Sequence, residues 1–145
     1  MARCGAAGRG VTNLPTTARG PNLYCSADGG LRVREIGVSN TTSTAFAVGV
    51  GVATALGTVA GALTEYCEDD PGHTVLGIGN TSHSADATIA SVIRQASVGA
   101  AVGATVIFTF GDNGLYRPEG TGTGVVLTCP TGTAQFFDFW FVWDE

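Results

Sequence analysis

Ser82, His83 and Asp86 stand within five positions of one another, and these residue types can form a nucleophilic relay. Such relays assemble from separate segments rather than from close neighbours in sequence. The chain also has no G-x-S-x-G turn to expose a nucleophile. The segment reads as a polar surface loop. Glu65, Glu68, Asp69, Asp70 and His73 could hold a hard cation. Their spacing does not follow an EF-hand loop, and Pro71 interrupts it, so a solvated acidic loop or a seat for a neighbour's arginine is favoured. Gly77-Ile78-Gly79 and the Gly120–Gly124 run superficially resemble phosphate loops. Neither opens a helix or has a following Lys, and turns explain them better.

The four cysteines, Cys4, Cys25, Cys67 and Cys129, contain no CxxC pair and no His at a ligand-like spacing. A zinc site is therefore not expected. Two disulfides are arithmetically possible. The start MARCGAAGRG has no apolar stretch of a secretory leader, so packed free thiols made in a reducing cytoplasm are expected. On the same ground, the sequons at Asn40 and Asn80 read as turns. No general acid–base pair emerges. The expectation is a non-enzymatic protein with no catalytic residue, metal or cofactor.

Charge narrows the options further. Only 13% of the 145 residues are charged, where about 25% is usual. Few charges leave little to solubilise an isolated surface, so neighbours are expected to cover part of it. There is no lysine. Arg3, Arg9 and Arg19 all precede the first acid, Asp28, while the other four arginines stand against all twelve acids. An acidic body argues against nucleic acid as the partner. The basic leader could grip an acidic neighbour, including another copy.

The elements follow from periodicity. Residues 1–30 show Gly, Pro, Arg and Asn without apolar alternation, and read as an extended N-terminal arm. From Leu31 the chain is strand-like, and a parity switch after Arg34-Glu35 predicts a bulge or bend. Phe46, Val48, Val50 and Val52 alternate with Ala and Gly, which predicts a strand over 44–56. Residues 57–72 read as a loop, HTVLGIGN as a strand, and a short helix could start near Ala85. Asn113-Gly114 between TVIFTF and LYRPEG predicts a two-residue hairpin. In AQFFDFWFVWDE, Phe137, Phe139, Phe141 and Trp143 share one face and are assigned to the core or a subunit interface. Phe136, Trp140 and Val142 share the other face with Asp138. Uncharged runs at 36–64 and 95–111 raise the question of membrane insertion, but period-two patterning and diluting Thr and Gly favour strands, and no membrane is expected. The fold class is all-β: an antiparallel β-sandwich or jelly-roll-like barrel over 31–145, preceded by the arm at 1–30.

RVREIGVSNTTSTA, TALGTVAGALTEYCED, VIFTFGDNGLYRPEGTGTGVVL and GTAQFFDFWFVWDE resemble a family of small virion structural proteins of tailed bacteriophages, notably of actinobacterial hosts. The likeness covers about residues 31–145. Similar small β proteins serve as capsid decoration, or cement, proteins, often as trimers on the outer head surface. The resemblance implies a homotrimer located on the virion head, with the major capsid protein and copies of itself as partners and no nucleic acid. Arg3, Arg9 and Arg19 would contact the capsid or a neighbour, and removal of residues 1–27 would leave a folded body that no longer binds capsids. Alternatives are a tail or head–tail-joining subunit, or a host-surface glycan-binding module recognised by an exposed aromatic pair beside acidic groups.

Overall fold

The computed structural model describes residues 1–12, 17–26, 29–120 and 122–145. Its twelve strands are β1 Arg3–Val11, β2 Asn22–Cys25, β3 Leu31–Asn40, β4 Phe46–Ala55, β5 Val59–Ala62, β6 Tyr66–Cys67, β7 Gly77–His83, β8 Thr88–Val98, β9 Thr105–Thr109, β10 Leu115–Arg117, β11 Gly124–Thr128 and β12 Phe136–Asp144. A single 3-10 turn, Thr17–Arg19, is the only helical element among the described residues. This composition suits strands: β-branched and aromatic residues fill the segments, and glycines punctuate them.

The strands form two antiparallel sheets packed face to face. The first has the order β10-β3-β12-β1-β6, with β9 also paired to β3. The second runs β5-β7-β2-β11-β4-β8. Apolar side chains from the two inner faces build one core. Cys4, Ile36, Val38, Phe139 and Phe141 come from the first sheet, and Leu23, Val48, Val50, Val125 and Leu127 from the second. Among the described residues, no helix is long and apolar enough to cross a membrane.

The expected arm is corrected. Residues 3–11 are a strand of the body, paired along their whole length with β12 and at Cys4 and Gly5 with β6. Residues 22–25 lie inside the second sheet, between β7 and β11. The arm reading also took in residues 13–16, 27 and 28, which lie outside the described residues. What hid β1 is the size of its inner face. Cys4, Ala6, Gly8 and Gly10 alternate inward, and rings from β12 fill the room above the glycines. A Cβ at Gly10 would lie 2.7 Å from the Phe137 ring, and one at Gly8 would lie 3.1 Å from the Phe139 ring. A strand whose inner residues are small shows little hydropathy alternation.

The bulge holds where parity predicted it. Val142 pairs with Glu35 and Trp143 with Val33, leaving Arg34 as the extra residue. The hairpin does not hold. β9 pairs with residues 35–39 of β3 and β10 with residues 31–33, so both run in the same direction along one strand. Residues 110–114 form a corner, pinned by the Arg34 guanidinium on the carbonyls of Gly111 and Asp112. Asn113 does not need positive φ there; Gly111 and Gly114 take it instead. The stretch 57–72, read as loop, carries β5 and β6, and no helix begins at Ala85. The predicted Gly120–Gly124 turn includes Thr121, which lies outside the described residues.

Candidate protein-docking face

β12 is apolar on both faces, and the sandwich separates the two. Phe137, Phe139, Phe141 and Trp143 are 0 to 1% exposed and belong to the core. They pack as a ring series, with centroids of Phe137–Phe139 at 6.2 Å and of Phe139–Phe141 at 5.4 Å. Of the two roles open to these residues, the structure selects core. The opposite parity, Phe136, Asp138, Trp140 and Val142, points away from the sandwich.

That outer face is built from register rows. Ala7, Trp140, Gly37 and Ile107 are successive partners across four strands. The Trp140 indole lies against Gly37, where a Cβ would come within 1.9 Å of the ring. Its Nε1–H donates to Glu35 Oε1 at 2.7 Å. Space from a missing side chain and one directed bond hold the aromatic rigid before any partner arrives, which lowers the ordering cost of binding. The next row is Tyr66, Gly5, Val142, Glu35 and Thr109. Tyr66, Trp140, Val142, Thr64 and Glu68 line an open depression of about 300 Å³. Phe136, Ile107 and Tyr66 keep half or more of their surface in solvent, at 53%, 51% and 57%.

The second sheet differs. Its outer face carries a small cluster of Tyr24, Ala53, Leu56, Ala87 and Val126, over which Ala18 and Ile89 pack. All of β11 and all of β2 are buried. The chain therefore covers the middle of the second sheet's outer face itself, while the edge strand β8 of that sheet stays largely exposed, with Val92 at 47%.

The leader arginines find acids within this chain. Arg9 Nε and Nη2 bind both oxygens of its cross-strand partner Asp138, at 2.7 and 3.2 Å. Arg19 Nε meets Asp86 at 2.6 Å. Arg3 Nε meets Asp144 at 3.1 Å, and Arg34 closes on the other oxygen of that carboxylate. The Asp138 and Asp86 pairs are exposed enough to add little stability. These contacts correct the view of the three residues as a free basic arm.

The acidic loop does not converge on a cation. Glu65 accepts from Gly79 N, and Asp69 from Arg3 N. Nor does the Ser–His–Asp segment assemble, because His83 is buried in β7 while Asp86 bonds Arg19. The expectation of free thiols is corrected for one pair: Cys4 and Cys67, directly opposed on β1 and β6, form a disulfide. Adjacent strands bring their sulfurs together, which spacing of 63 residues could not reveal. Cys25 and Cys129 are buried, and burial pushes the Cys129 thiol up to about 12.

Two groups set the acid response. Burial pushes the Asp144 carboxyl up, but the bonds and charges of Arg34 and Arg3 outweigh it and hold the group below its ordinary value. Burial also lowers His83, whose Nδ1 bonds Gly20 O at 3.1 Å while Nε2 finds no partner among the described residues. Both shifts make the unfolded chain the better proton acceptor, so stability falls as pH falls. The His83 share is lost below about 6.5 and the Asp144 share below about 3.9. Denaturant midpoints measured against pH should show both steps, with His83→Gln removing the first and Asp144→Asn the second. A flat profile through both ranges would contradict this placement of protons.

Compared with known protein families, curated proteins and solved structures, the chain matches none.

Proposed function

We propose that this protein is a structural subunit of a tailed-phage particle, a capsid decoration protein seated on the outer head surface. It meets the major capsid protein and copies of itself as a homotrimer. The observation that carries this reading is the bare outer face of the first sheet, with a rigid Trp140, exposed Tyr66, Ile107 and Phe136, and the Arg9–Asp138 pair among them. Interfaces favour such aromatics and arginines, and an exposed apolar sheet face invites a protein cover. A rigid body with little charge suits a brace, whose task is to span neighbours. The Cys4–Cys67 bond fits a particle that leaves the reducing cell and persists in an oxidising medium. With the leader folded into the body, docking moves from an arm to this face.

The test is position and binding. A reconstruction of the particle should place the sandwich on the head lattice with the first sheet against protein. Ile107→Glu should leave folding within roughly 0.5 kcal/mol of wild type and abolish binding to capsids that lack the subunit. Location in the tail would favour the tail or head–tail-joining role, and absence from particles would overturn the proposal. A glycan-binding module is the second reading, favoured by the shared depression of Tyr66 and Trp140 beside Glu68. It predicts sugar binding by the wild type that Tyr66→Ala removes.

A further inference from the structure

Where β1, β6 and the end of β12 meet, donor atoms of metal-ligand type converge. Cys4 Sγ, Cys67 Sγ and a carboxylate oxygen of Glu145 all lie within 4.8 Å of one another. Cys4 Sγ stands 3.7 Å from Glu145 Oε1. Both cysteines are buried, and the Glu145 side chain has no exposed surface. Its carboxylate is held by Leu76 N at 2.8 Å and His73 Nε2 at 3.1 Å on Oε1, and by Gly77 N at 2.7 Å and Trp143 Nε1 at 3.0 Å on Oε2.

We propose that reduction of the Cys4–Cys67 disulfide turns this corner into a site for a thiophilic divalent cation, Zn²⁺ first, ligated by both sulfurs and Glu145 Oε1. His73 Nε2 bonds that oxygen from outside the three-donor cluster and would orient it. The argument has three parts. Register places the two cysteines opposite each other, so their thiolates remain neighbours after the bond opens. Tetrahedral zinc with Zn–S of about 2.3 Å and Zn–O of about 2.0–2.2 Å needs ligand atoms some 3–4 Å apart, within the observed convergence. A wholly buried carboxylate also calls for a cation. Among the described residues, the only ion-pair partner of Glu145 is His73. The backbone and indole donors already fix the carboxylate's orientation, the usual arrangement behind a metal ligand.

The chemistry balances in two steps. A dithiol reductant gives two electrons and two protons to the disulfide, forming two thiols and its own disulfide. Zn²⁺ then replaces the two thiol protons, which leave to solvent. Either state fastens β6 to β1, by a covalent bond in oxidising surroundings and by the ion in reducing ones. This inference does not depend on the proposed function.

The test uses the full chain reduced with a phosphine and titrated with Co²⁺ as a spectroscopic probe, then with Zn²⁺. One Co²⁺ per chain should bind with thiolate charge-transfer and tetrahedral ligand-field bands, and Zn²⁺ should displace it. The oxidised protein should bind none. Cys67→Ser should lose the charge-transfer band. Glu145→Gln and His73→Ala should each weaken binding by roughly 10- to 100-fold. Two results overturn the proposal: a folded, reduced chain that binds no Co²⁺, or binding unchanged in Cys67→Ser. If reduction unfolds the chain, Zn²⁺ must refold it, and failure to do so overturns the proposal equally.

Discussion

A chain lacking residues 1–11 should not fold. β1 lies between β12 and β6, and nine of its residues pair with β12. Deletion strips β12 of one whole ladder and removes Cys4 and Ala6 from the core. It leaves the Phe137 and Phe139 rings facing water where Gly10 and Gly8 had closed over them. It also removes a disulfide spanning 63 residues. Chain-entropy reasoning values a loop of that size at roughly 4 kcal/mol. Total stability for a domain is only about 5–15 kcal/mol. The lost ladder and core contacts should exceed the remainder. Circular dichroism and amide exchange of the truncated chain should show no cooperative unfolding transition. A folded, cooperative truncated protein would mean that β1 is an ornament on the sandwich. It would return residues 1–11 to the role of a detachable arm.

Trp143→Ala should cost roughly 3–5 kcal/mol, the range for emptying a large aromatic site in a core. Trp143 is 0% exposed and packs on the backbone of β7, where a Cβ at Gly77 would lie 2.5 Å from its Nε1. Its indole N–H also donates to the buried Glu145 carboxylate, so truncation leaves one acceptor short of a donor. Phe136→Ala, seven positions earlier on the opposite face, should change stability by roughly 0.5 kcal/mol or less. The ring there is 53% exposed. Urea unfolding of both variants checks the contrast. Equal losses would show that the outer face is as closely packed as the inner one, and the bare docking face would disappear with that result.

The parity of β12 was legible because strand side chains alternate faces, whatever surrounds them. The same rule exposed the bulge at Arg34, since an extra residue resets the count of inward positions. The Asn113-Gly114 signal misled for a tertiary reason. The Arg34 side chain reaches across to the carbonyls of Gly111 and Asp112, and β3 offers both following strands a partner. The local turn preference was outweighed by pairing that no window of sequence contains. β1 was missed because its inner alternation is one of volume, Cys4, Ala6, Gly8 and Gly10, set by rings on a strand more than a hundred positions away. Arg3 and Arg9 at the same parity were the available hint.

By itself, the sequence determined the all-β class, the turns rich in glycine, and the two apolar faces of its last strand. Those properties depend on residues within a few positions of each other. Only the tertiary structure decided which of those faces is core, that Cys4 meets Cys67, and that the leader arginines answer to acids on this chain. Each of those outcomes depends on which strands become neighbours. That choice is made by the collective burial of the core, and it leaves no trace in local spacing.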